Sequence, residues 1–390
     1  MLARRRLILP WAWARRRLRS SEAAFILLAV LVGGAAGLGS VLLGAAARTL
    51  QHWLFALPYA ARLSAIPAMT TIALIALPVG GAALAAFSSA TRARKRRMID
   101  AVEANALHGG RMSMGDSLVI SGQTVLSNGF GASVGLEAAY AQIGGALASV
   151  AGSALRLRRG DLRNLVGAGA GAAIAAAFGA PLAGAFYAFE IVIGAYTPSA
   201  IAPVAAAAIT AVFVAQAFGI QPYVIDTMAG TPTETHHYLI YAGLGVVCAA
   251  LGVVLMRSVA LVEAGVRRSR LPDWSRPVLG GLLLIPIAAL SPQVLSAGHG
   301  ALHSDLAEGI SLTFIATVLL AKCAASIVSL GFGFRGGLFF ASLFIGTLVG
   351  HLFAGCINAA AGFVAVDAHN AALVGMAALV VLGGTLAYSN

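Results

Sequence analysis

The segment Gly129–Gly145 reads GFGASVGLEAAYAQIGG and contains one charged residue, Glu137, among small and apolar neighbours. Glycines before Glu137 let the backbone turn sharply and approach a bound solute closely. The residues after it are typical of a new helix, whose first N–H groups and positive dipole end favour an anion. A carboxylate at bilayer depth is costly and usually faces a cavity or an ion path. The segment therefore predicts a protonatable acid beside an anion-binding helix terminus.

The composition of the whole chain is that of an integral membrane protein. Hydrophobic residues make up 59% of the 390 and charged residues 10%, whereas soluble domains carry about 25% charged residues. The mean hydropathy is +0.88. The 46 glycines and the abundant alanines suit membrane helices that pack closely through small residues. We therefore expect a lipid bilayer around most of the chain.

The net charge of +12 arises from clusters of basic residues in short polar segments. In a soluble protein this charge would suggest a nucleic-acid partner, but the positive-inside rule accounts for it here, and we predict no nucleic-acid binding. We expect the clusters on the cytoplasmic side. This includes the N-terminal segment 1–21, which is too basic and too interrupted for a cleaved signal peptide. The clusters are Arg4–Arg6, Arg15–Arg17, Arg92–Arg97, Arg156–Arg163 and Arg267–Arg276.

Apolar segments follow one another along the chain, and several have the roughly 20 residues needed to cross a bilayer. Glycine clusters at 129–135 and 331–337 each lead into an apolar helix. Such interruptions at corresponding places of two halves predict a binding site built from discontinuous helices. We predict a first repeat at 22–220, a connecting loop at 221–237 and a second repeat at 238–390. The apolar segments lie at about 23–48, 62–89, 115–126, 137–154, 163–195, 198–219, 238–262, 277–291, 309–330, 338–365 and 371–387.

The sequence contains no arrangement of residues typical of an enzyme, a cofactor site or a metal site. The cysteines lie in apolar runs and are interpreted as small buried residues. The glycine-rich stretches lack the Gly-Lys-Ser/Thr ending of a phosphate-binding loop. Histidines in polar or glycine-rich loops show no converging ligand spacing; they are His108, His236, His237, His299 and His303. We therefore predict no enzyme activity, no cofactor and no metal.

Three motifs in order resemble the CLC family of voltage-gated chloride channels and chloride/proton antiporters. Gly135–Gly145 is similar to the family's Gly-Arg-Glu-Gly-Pro…Gln-Ile-Gly segment. Phe178–Glu190 (FGAPLAGAFYAFE) is similar to its Phe-Asn-Ala-Pro-Leu-Ala-Gly…Glu helix, and Gly336–Gly346 (GGLFFASLFIG) to its Gly-Gly-Ile-Phe-Ala-Pro…Gly motif. The resemblance spans residue 22 to the C-terminus. It implies an all-α polytopic membrane protein with the CLC-type inverted repeat of broken, tilted helices.

The resemblance also implies roles for individual residues. Glu137 falls on the external gating glutamate, which occupies an anion site when charged and leaves when protonated or displaced. The positions expected to bind the anion, mainly through main-chain N–H groups, are Gly135, Leu136, Gly337, Leu338 and Phe339. Backbone donors can hold chloride or a similar small anion firmly enough to admit it and weakly enough to release it. The family further implies a homodimer with one pathway per subunit, here in a bacterial inner membrane.

Several positions depart from the family pattern. Arg94–Asp100 stands where the family has Gly-Ser-Gly-Ile-Pro, so the inner anion site is absent or is supplied by cationic side chains. Leu136 replaces an arginine beside Glu137. Arg335 precedes the second motif and is interpreted either as drawing anions to the mouth or as packing against a carboxylate. Lys322, a lone cation in an apolar helix, is interpreted as paired with an internal carboxylate or with carbonyl groups, with contact to the substrate as the alternative.

The sequence leaves proton coupling open. In many family exchangers an acid directly after the helix glutamate relays protons; here Glu190 matches the helix glutamate and Ile191 takes the relay position. An isoleucine favours a passive channel over a chloride/proton antiporter. Glu190 is interpreted either as a buried residue paired with a basic group or helix terminus, or as part of a proton path. The family continues beyond the position of Asn390, so a truncated or non-transporting relative is the second alternative.

Overall fold

The computed structural model describes residues 21–59, 61–91, 98–220, 233–305, 311–360 and 366–386. Residues 1–20 of the predicted N-terminal segment 1–21 and most of the predicted connecting loop lie outside these residues. Within them the protein is helical, with one isolated β-bridge and no longer strand. The helices are α1 (Glu22–Phe55), α2 (Thr71–Leu74), α3 (Ala76–Thr91), α4 (Ala101–Leu107), α5 (Met114–Gly129), α6 (Glu137–Ala154), α7 (Arg159–Phe178), α8 (Pro181–Tyr187), α9 (Pro198–Ala217), α10 (Thr235–Arg268), α11 (Ser275–Leu290), α12 (His299–Asp305), α13 (Leu312–Gly331), α14 (Phe339–Ala360) and α15 (Ala368–Leu386).

Six helical stretches of the described residues are long and apolar enough to cross a membrane. They are Glu22–Phe55, Thr71–Thr91, Pro198–Ala217, Thr235–Arg268, Leu312–Gly331 and Phe339–Ala360. Shorter apolar helices accompany them at Pro181–Ile193, Ser275–Leu290 and Ala368–Val380. The protein is therefore a multi-pass membrane protein that combines full spans with shorter helices, as the interrupted apolar pattern predicts.

The apolar segment at 163–195 is divided into three elements rather than forming one helix. α7 ends where Gly179 adopts a left-handed conformation with φ of 66°, and its N–H donates to the Ala175 carbonyl. Glycine is the residue that most easily takes this C-terminal position. Pro181 then starts α8, where its missing N–H costs nothing. A π-helical turn at Ala188–Ile193 follows α8 directly.

A short helix, α4, lies where no apolar segment is present in the sequence. Its N-cap is Asp100, whose side chain accepts a hydrogen bond from the Glu103 N–H at 2.7 Å. An Asp N-cap with an acid in the first turn is a common helix start. Its length of only seven residues, interrupted by Glu103 and Asn105, explains why hydropathy alone does not find it.

The described residues form two compact units. The first contains residues 21–45, 98–122 and 138–220; the second contains 46–91, 123–137 and the described residues from 233 onward. Both units draw on segments that are distant in sequence. The repeat boundaries at 22–220 and 238–390 remain a prediction.

Small residues bring helices close together within the first unit. A Cβ added to Gly33 would meet the Ala207 backbone, and one added to Gly144 would meet the Gly169 carbonyl. Such close approach of backbones is how membrane helices gain packing energy without a hydrophobic driving force between them. The abundance of glycine and alanine in the sequence therefore has a direct structural use.

The second unit contains a buried apolar cluster that includes residues of two glycine-rich loops. It includes Leu77 of α3, Leu284 of α11, and Val134 and Phe334 of two connecting loops. α3 and α11 pack in a reciprocal way: a Cβ on Gly281 would meet the Leu77 carbonyl. The two loops are thus held in place by the packing of Val134 and Phe334 into this cluster.

Candidate functional site

Two glycine-rich loops of the second unit meet in the structure. The first glycine loop (130–136) joins α5 to α6, and the second glycine loop (332–338) joins α13 to α14. Gly135 and Gly337 form an antiparallel β-bridge. The Gly135 N–H donates to the Gly337 carbonyl at 2.8 Å, and the Gly337 N–H donates to the Gly135 carbonyl at 3.1 Å. The two clusters that the sequence places 200 residues apart therefore form one structure.

The two loops have the same backbone course. Gly131 and Gly333 both have a positive φ, of 90° and 94°. Each loop also closes with the same pattern of hydrogen bonds from its first three N–H groups to the preceding helix. The matching bonds are Phe130 to Leu126 and Phe332 to Val328, Gly131 to Asn128 and Gly333 to Leu330, and Ala132 to Ser127 and Phe334 to Ser329. The second copy repeats the first at a constant offset of 202 residues (130 to 332, 131 to 333, 132 to 334).

Side chains of the flanking helices hold the loops in a reciprocal way. Ser329 Oγ, at the end of α13, accepts the N–H of Ser133 in the first loop at 2.9 Å. Ser127 Oγ, near the end of α5, accepts the N–H of Arg335 in the second loop at 2.9 Å. Each helix thus holds the loop that belongs to the other helix. This reciprocity, with the same offset (127 to 329, 133 to 335, 135 to 337), places a local twofold axis at the Gly135–Gly337 bridge.

The side chain of Glu137 reaches across this axis from the start of α6 to the start of α14. Glu137 is the first residue of α6 and only 4% exposed. Its Oε1 accepts a hydrogen bond from the Phe340 N–H at 3.0 Å. Phe340 is the second residue of α14, so the carboxylate satisfies one of the N–H groups that a helix start leaves without an internal partner. The positive end of the α14 dipole adds a favourable interaction with the negative charge.

The glycines at positions 135 and 337 provide the space for the carboxylate. A Cβ on Gly135 would collide with the Glu137 carboxyl group, and one on Gly337 would lie 2.6 Å from Oε2. Oε2 is buried and has no hydrogen-bond partner among the described residues. A buried polar atom without a partner is costly, so this position leaves one of the two carboxylate oxygens of Glu137 unsatisfied.

The remaining predicted anion-binding residues lie beside this seat. Leu136, Leu338 and Phe339 are half-buried. The Leu338 carbonyl accepts the Ser342 N–H at 2.7 Å, which marks Leu338 as the residue just before α14. The N–H that holds the carboxylate belongs to Phe340, which lies within the Gly336–Gly346 motif but is not among the predicted anion-binding residues. A helix start leaves its first four N–H groups without internal partners, and this general property would have pointed to Phe340.

A histidine ring stacks on the side chain of Phe340. The His299 ring stacks on it with 3.6 Å between ring centroids and an angle of 14° between planes. His299 is the first residue of α12. The residue that donates to Glu137 is therefore fixed both by its helix and by an aromatic contact.

Glu190 lies in the first unit and has different surroundings. It is exposed, and its Oε1 accepts a hydrogen bond from the Tyr196 hydroxyl at 2.7 Å. The expected burial and pairing with a basic group or helix terminus are not what the structure shows. Glu190 lies in the π-helical turn Ala188–Ile193, and a tyrosine on the following loop supplies its partner. The inner-site segment Arg94–Asp100 falls largely outside the described residues, of which 98–100 are described.

Lys322 of α13 is fully buried and pairs with carbonyl groups, which confirms the sequence prediction for it. Its Nζ donates to the Val294 carbonyl at 3.0 Å and to the Ser296 carbonyl at 2.9 Å. Arg335 has an exposed side chain, and its two alternative roles stay open.

Comparison with known proteins agrees with this architecture. The family model described as voltage gated chloride channel matches residues 80–386. A protein named as ClcB-like chloride channel protein from Ralstonia nicotianae is 31% identical over 365 residues, which cover 90% of this chain and 83% of the relative. The chloride/fluoride channel protein of Pseudomonas syringae pv. tomato is 34% identical over 265 residues, 63% of this chain and 57% of that protein. For this second relative, the aligned part is thus less than two thirds of its length.

Solved structures share the fold. A CLC-type fluoride/proton antiporter superposes with a TM-score of 0.76 at 20% identity, covering 93% of this chain and 87% of that one. A slow cyanobacterial Cl−/H+ antiporter gives a TM-score of 0.75 at 22% identity, covering 91% and 85%. These likenesses confirm the predicted all-α, CLC-type fold. With the family match over most of its length, this chain belongs to the CLC family of voltage-gated chloride channels.

Proposed function

We propose that this protein carries chloride or a similar small anion across a membrane, with Glu137 as the gate. One observation carries the proposal. A buried carboxylate accepts the Phe340 N–H at the start of α14, in a seat formed by Gly135 and Gly337. A carboxylate oxygen and a halide are both anions that accept hydrogen bonds, so they compete for the same donor. The seat of Glu137 is therefore an anion site that the protein fills with its own side chain.

The gating step follows from this competition. When Glu137 takes up a proton, its attraction to the α14 N-terminus weakens and the side chain can leave. The Phe340 N–H in the first turn of α14, which the carboxylate has given up, can then bind a transported anion. Helix N-termini suit such a role because partial charges bind an anion without the full charge that would trap it.

Passive conduction is the first candidate and proton-coupled exchange the second. Ile191 cannot carry a proton at the position that follows Glu190, which favours a channel. Two observations favour exchange: Glu190 is exposed beside that position, and the two solved structures of the same fold are described as antiporters. Fluoride is a further candidate ion, because one relative is named as a chloride/fluoride channel.

Assembly and location are part of the proposal. We expect a homodimer in which each subunit has its own pathway. Relatives of this chain occur in the bacteria Ralstonia and Escherichia coli, which supports an inner (plasma) membrane location for a chain of this kind.

The decisive experiment is simultaneous measurement of chloride efflux and proton movement in liposomes containing the purified protein. We expect chloride efflux that rises as pH falls, and efflux independent of pH, or abolished, in Glu137→Ala. Glu103→Gln is the matched control, an acid on α4 in the first unit, and should behave as the wild type. Proton uptake driven by a chloride gradient would establish exchange over passive conduction. No anion flux from the wild-type protein would reject transport and support a non-transporting relative.

A further inference from the structure

Lys322 is a buried basic residue of the second unit, and the gating step proposed for Glu137 does not involve it. It has no exposed surface and is among the largest fully buried side chains of the described residues. Its helix, α13, runs directly into the second glycine loop. A buried lysine is expensive, because the charged form loses its hydration. In a membrane-spanning helix such a residue is by default a candidate for function.

The ammonium group is held by carbonyl groups rather than by an acid. Its two protein acceptors are the carbonyls of Val294 and Ser296, at 3.0 and 2.9 Å. Among the described residues no carboxylate lies within ion-pair distance of it. The carbonyls accept two of its three N–H groups, and no described acid within ion-pair distance compensates its charge when it is protonated. Serines of the same helix contact the loop that leads to Glu137: Ser329 Oγ accepts the Ser133 N–H at 2.9 Å, and Ser326 Oγ lies 3.2 Å from Ser133 Oγ.

The position of this charge is fixed by the same residues that hold the first glycine loop. Ser296 has a left-handed φ of 54°, which is unusual for a residue other than glycine. Its N–H donates to the Gly131 carbonyl at 3.2 Å, and its Oγ accepts from Asn128 Nδ2 at 2.9 Å. Asn128 Nδ2 also donates to the Val134 carbonyl at 2.7 Å. Lys322 is therefore tied through Ser296 to the loop that ends at Glu137.

The local twofold axis shows that this charge is specific to one half. At the offset of 202 residues, the position that corresponds to Lys322 on α5 is Ile120. A purely architectural need shared by both halves would be met by similar residues. The lysine instead lies in the half whose helix start, α14, receives the carboxylate.

We propose that Lys322 is a positioning residue for the anion pathway, a fixed buried charge that stabilises an anion at the seat of Glu137 without touching it. The proposal rests on the anion-transport function proposed above. A charge held out of contact attracts the anion over a distance that a low-dielectric interior leaves poorly screened. Because it makes no direct bond, it stabilises the bound anion less strongly than a contacting lysine would, which suits a site that must also release the anion.

The test is chloride binding to the detergent-purified protein, measured by isothermal titration calorimetry in a Glu137→Gln background. In that background a neutral side chain no longer competes for the seat. Lys322→Gln keeps an N–H donor for the carbonyls but removes the charge, and we expect chloride to bind about tenfold more weakly, equal to about 1.4 kcal/mol. Lys322→Arg keeps the charge and should bind within about twofold of the parent.

The outcomes separate this inference from the proposed function. A Glu137→Gln parent that binds no chloride would reject both. A parent that binds chloride, with Lys322→Gln binding equally tightly, would overturn the role of Lys322 alone. Should Lys322→Gln fail to purify as a folded protein, Lys322→Arg decides the question: retained affinity in the folded variant supports the charge, and loss of affinity contradicts it. A thermal melt of each variant confirms that only folded protein is compared.

Discussion

The first and second glycine loops have one backbone design and different end residues. Both turn at a positive-φ glycine, both are held by a serine from the opposite helix, and they pair at Gly135 and Gly337. At the start of the next helix, however, the first copy has Glu137 and the second, at the same offset, has Phe339. The twofold design therefore supplies two equivalent helix starts, and a single acid makes them unequal.

This difference separates the part of the site that both loops share from the part that only one of them has. The shared part is a frame that brings two helix N-termini together. The specific part is the carboxylate, which crosses the axis to the Phe340 N–H, together with Lys322 on the same side. Function is thus expected to be sensitive to the acid, and stability to the frame.

The largest expected effect comes from filling the space that the carboxylate uses. In Gly135→Ala the new Cβ would collide with the Glu137 carboxyl group, and we expect a loss of about 3 kcal/mol in stability. Adding Glu137→Ala removes the obstacle and should restore most of this loss. Thermal melts of the two single variants and the double variant in detergent measure the coupling.

Gly336→Ala is the matched control for this cycle. Its Cβ would meet the Val134 side chain and not Glu137. Glu137→Ala should therefore give no rescue of Gly336→Ala. Equal rescue of both glycine variants would show that the carboxylate is not what requires glycine at position 135.

An intermediate effect is expected from removing the serines that hold the loops. Ser329→Ala leaves the buried Ser133 N–H without its acceptor, and Ser127→Ala does the same to the Arg335 N–H. Each should cost about 1–2 kcal/mol, and the two losses should be similar because the contacts are equivalent. Chemical denaturation in detergent compares them.

Ser326→Ala is the control for the serine pair. Ser326 Oγ lies 3.2 Å from Ser133 Oγ and holds no loop N–H. Its loss should be clearly smaller than that of Ser329→Ala. A Ser326→Ala effect as large as that of Ser329→Ala would mean that general packing, and not the loop N–H bond, accounts for the stability.

The smallest expected effect is a partial return of gating when the acid is moved to the equivalent position. In a Glu137→Ala background, Phe339→Glu places a carboxylate on the other side of the axis, where it would face the start of α6. We expect part of the pH dependence of chloride efflux to return in liposomes. Leu338→Glu, one residue away from the equivalent position, should restore none. A Leu338→Glu variant as pH-dependent as Phe339→Glu would remove the argument from symmetry.

The glycine clusters and Glu137 could be predicted because they break an otherwise uniform apolar pattern. The sequence identifies two clusters and a lone acid, and the structure brings them together at Gly135, Gly337 and Phe340. The constant offset of 202 residues is also visible in the sequence, where SNGFGASVGLE (127–137) corresponds to SLGFGFRGGLF (329–339). Six of these eleven positions carry the same residue, but Ser133 corresponds to Arg335 and Glu137 to Phe339. The shared hydrogen-bond pattern and the pairing of the two loops are visible only in the structure.

Other features depend on physics that hydropathy does not contain. The break at Gly179 needs one left-handed residue within an apolar run, and α4 is too short, at seven residues, to show a pattern. Glu190 lies in a π-helical turn, and composition does not indicate where such a turn occurs. Lys322 could be predicted to seek carbonyls, but its acceptors come from a loop whose fold only tertiary structure defines.

The hydrogen bond between Glu137 and Phe340 joins two residues that are synthesised at widely separated times. At about 5–20 residues per second, roughly ten seconds or more separate their synthesis. During that interval an inserted N-terminal portion carries Glu137 without the N–H that receives it. Completion of the seat is therefore a late event in biogenesis, and a chain stopped before α14 would retain an acid in the membrane with no helix start to accept it.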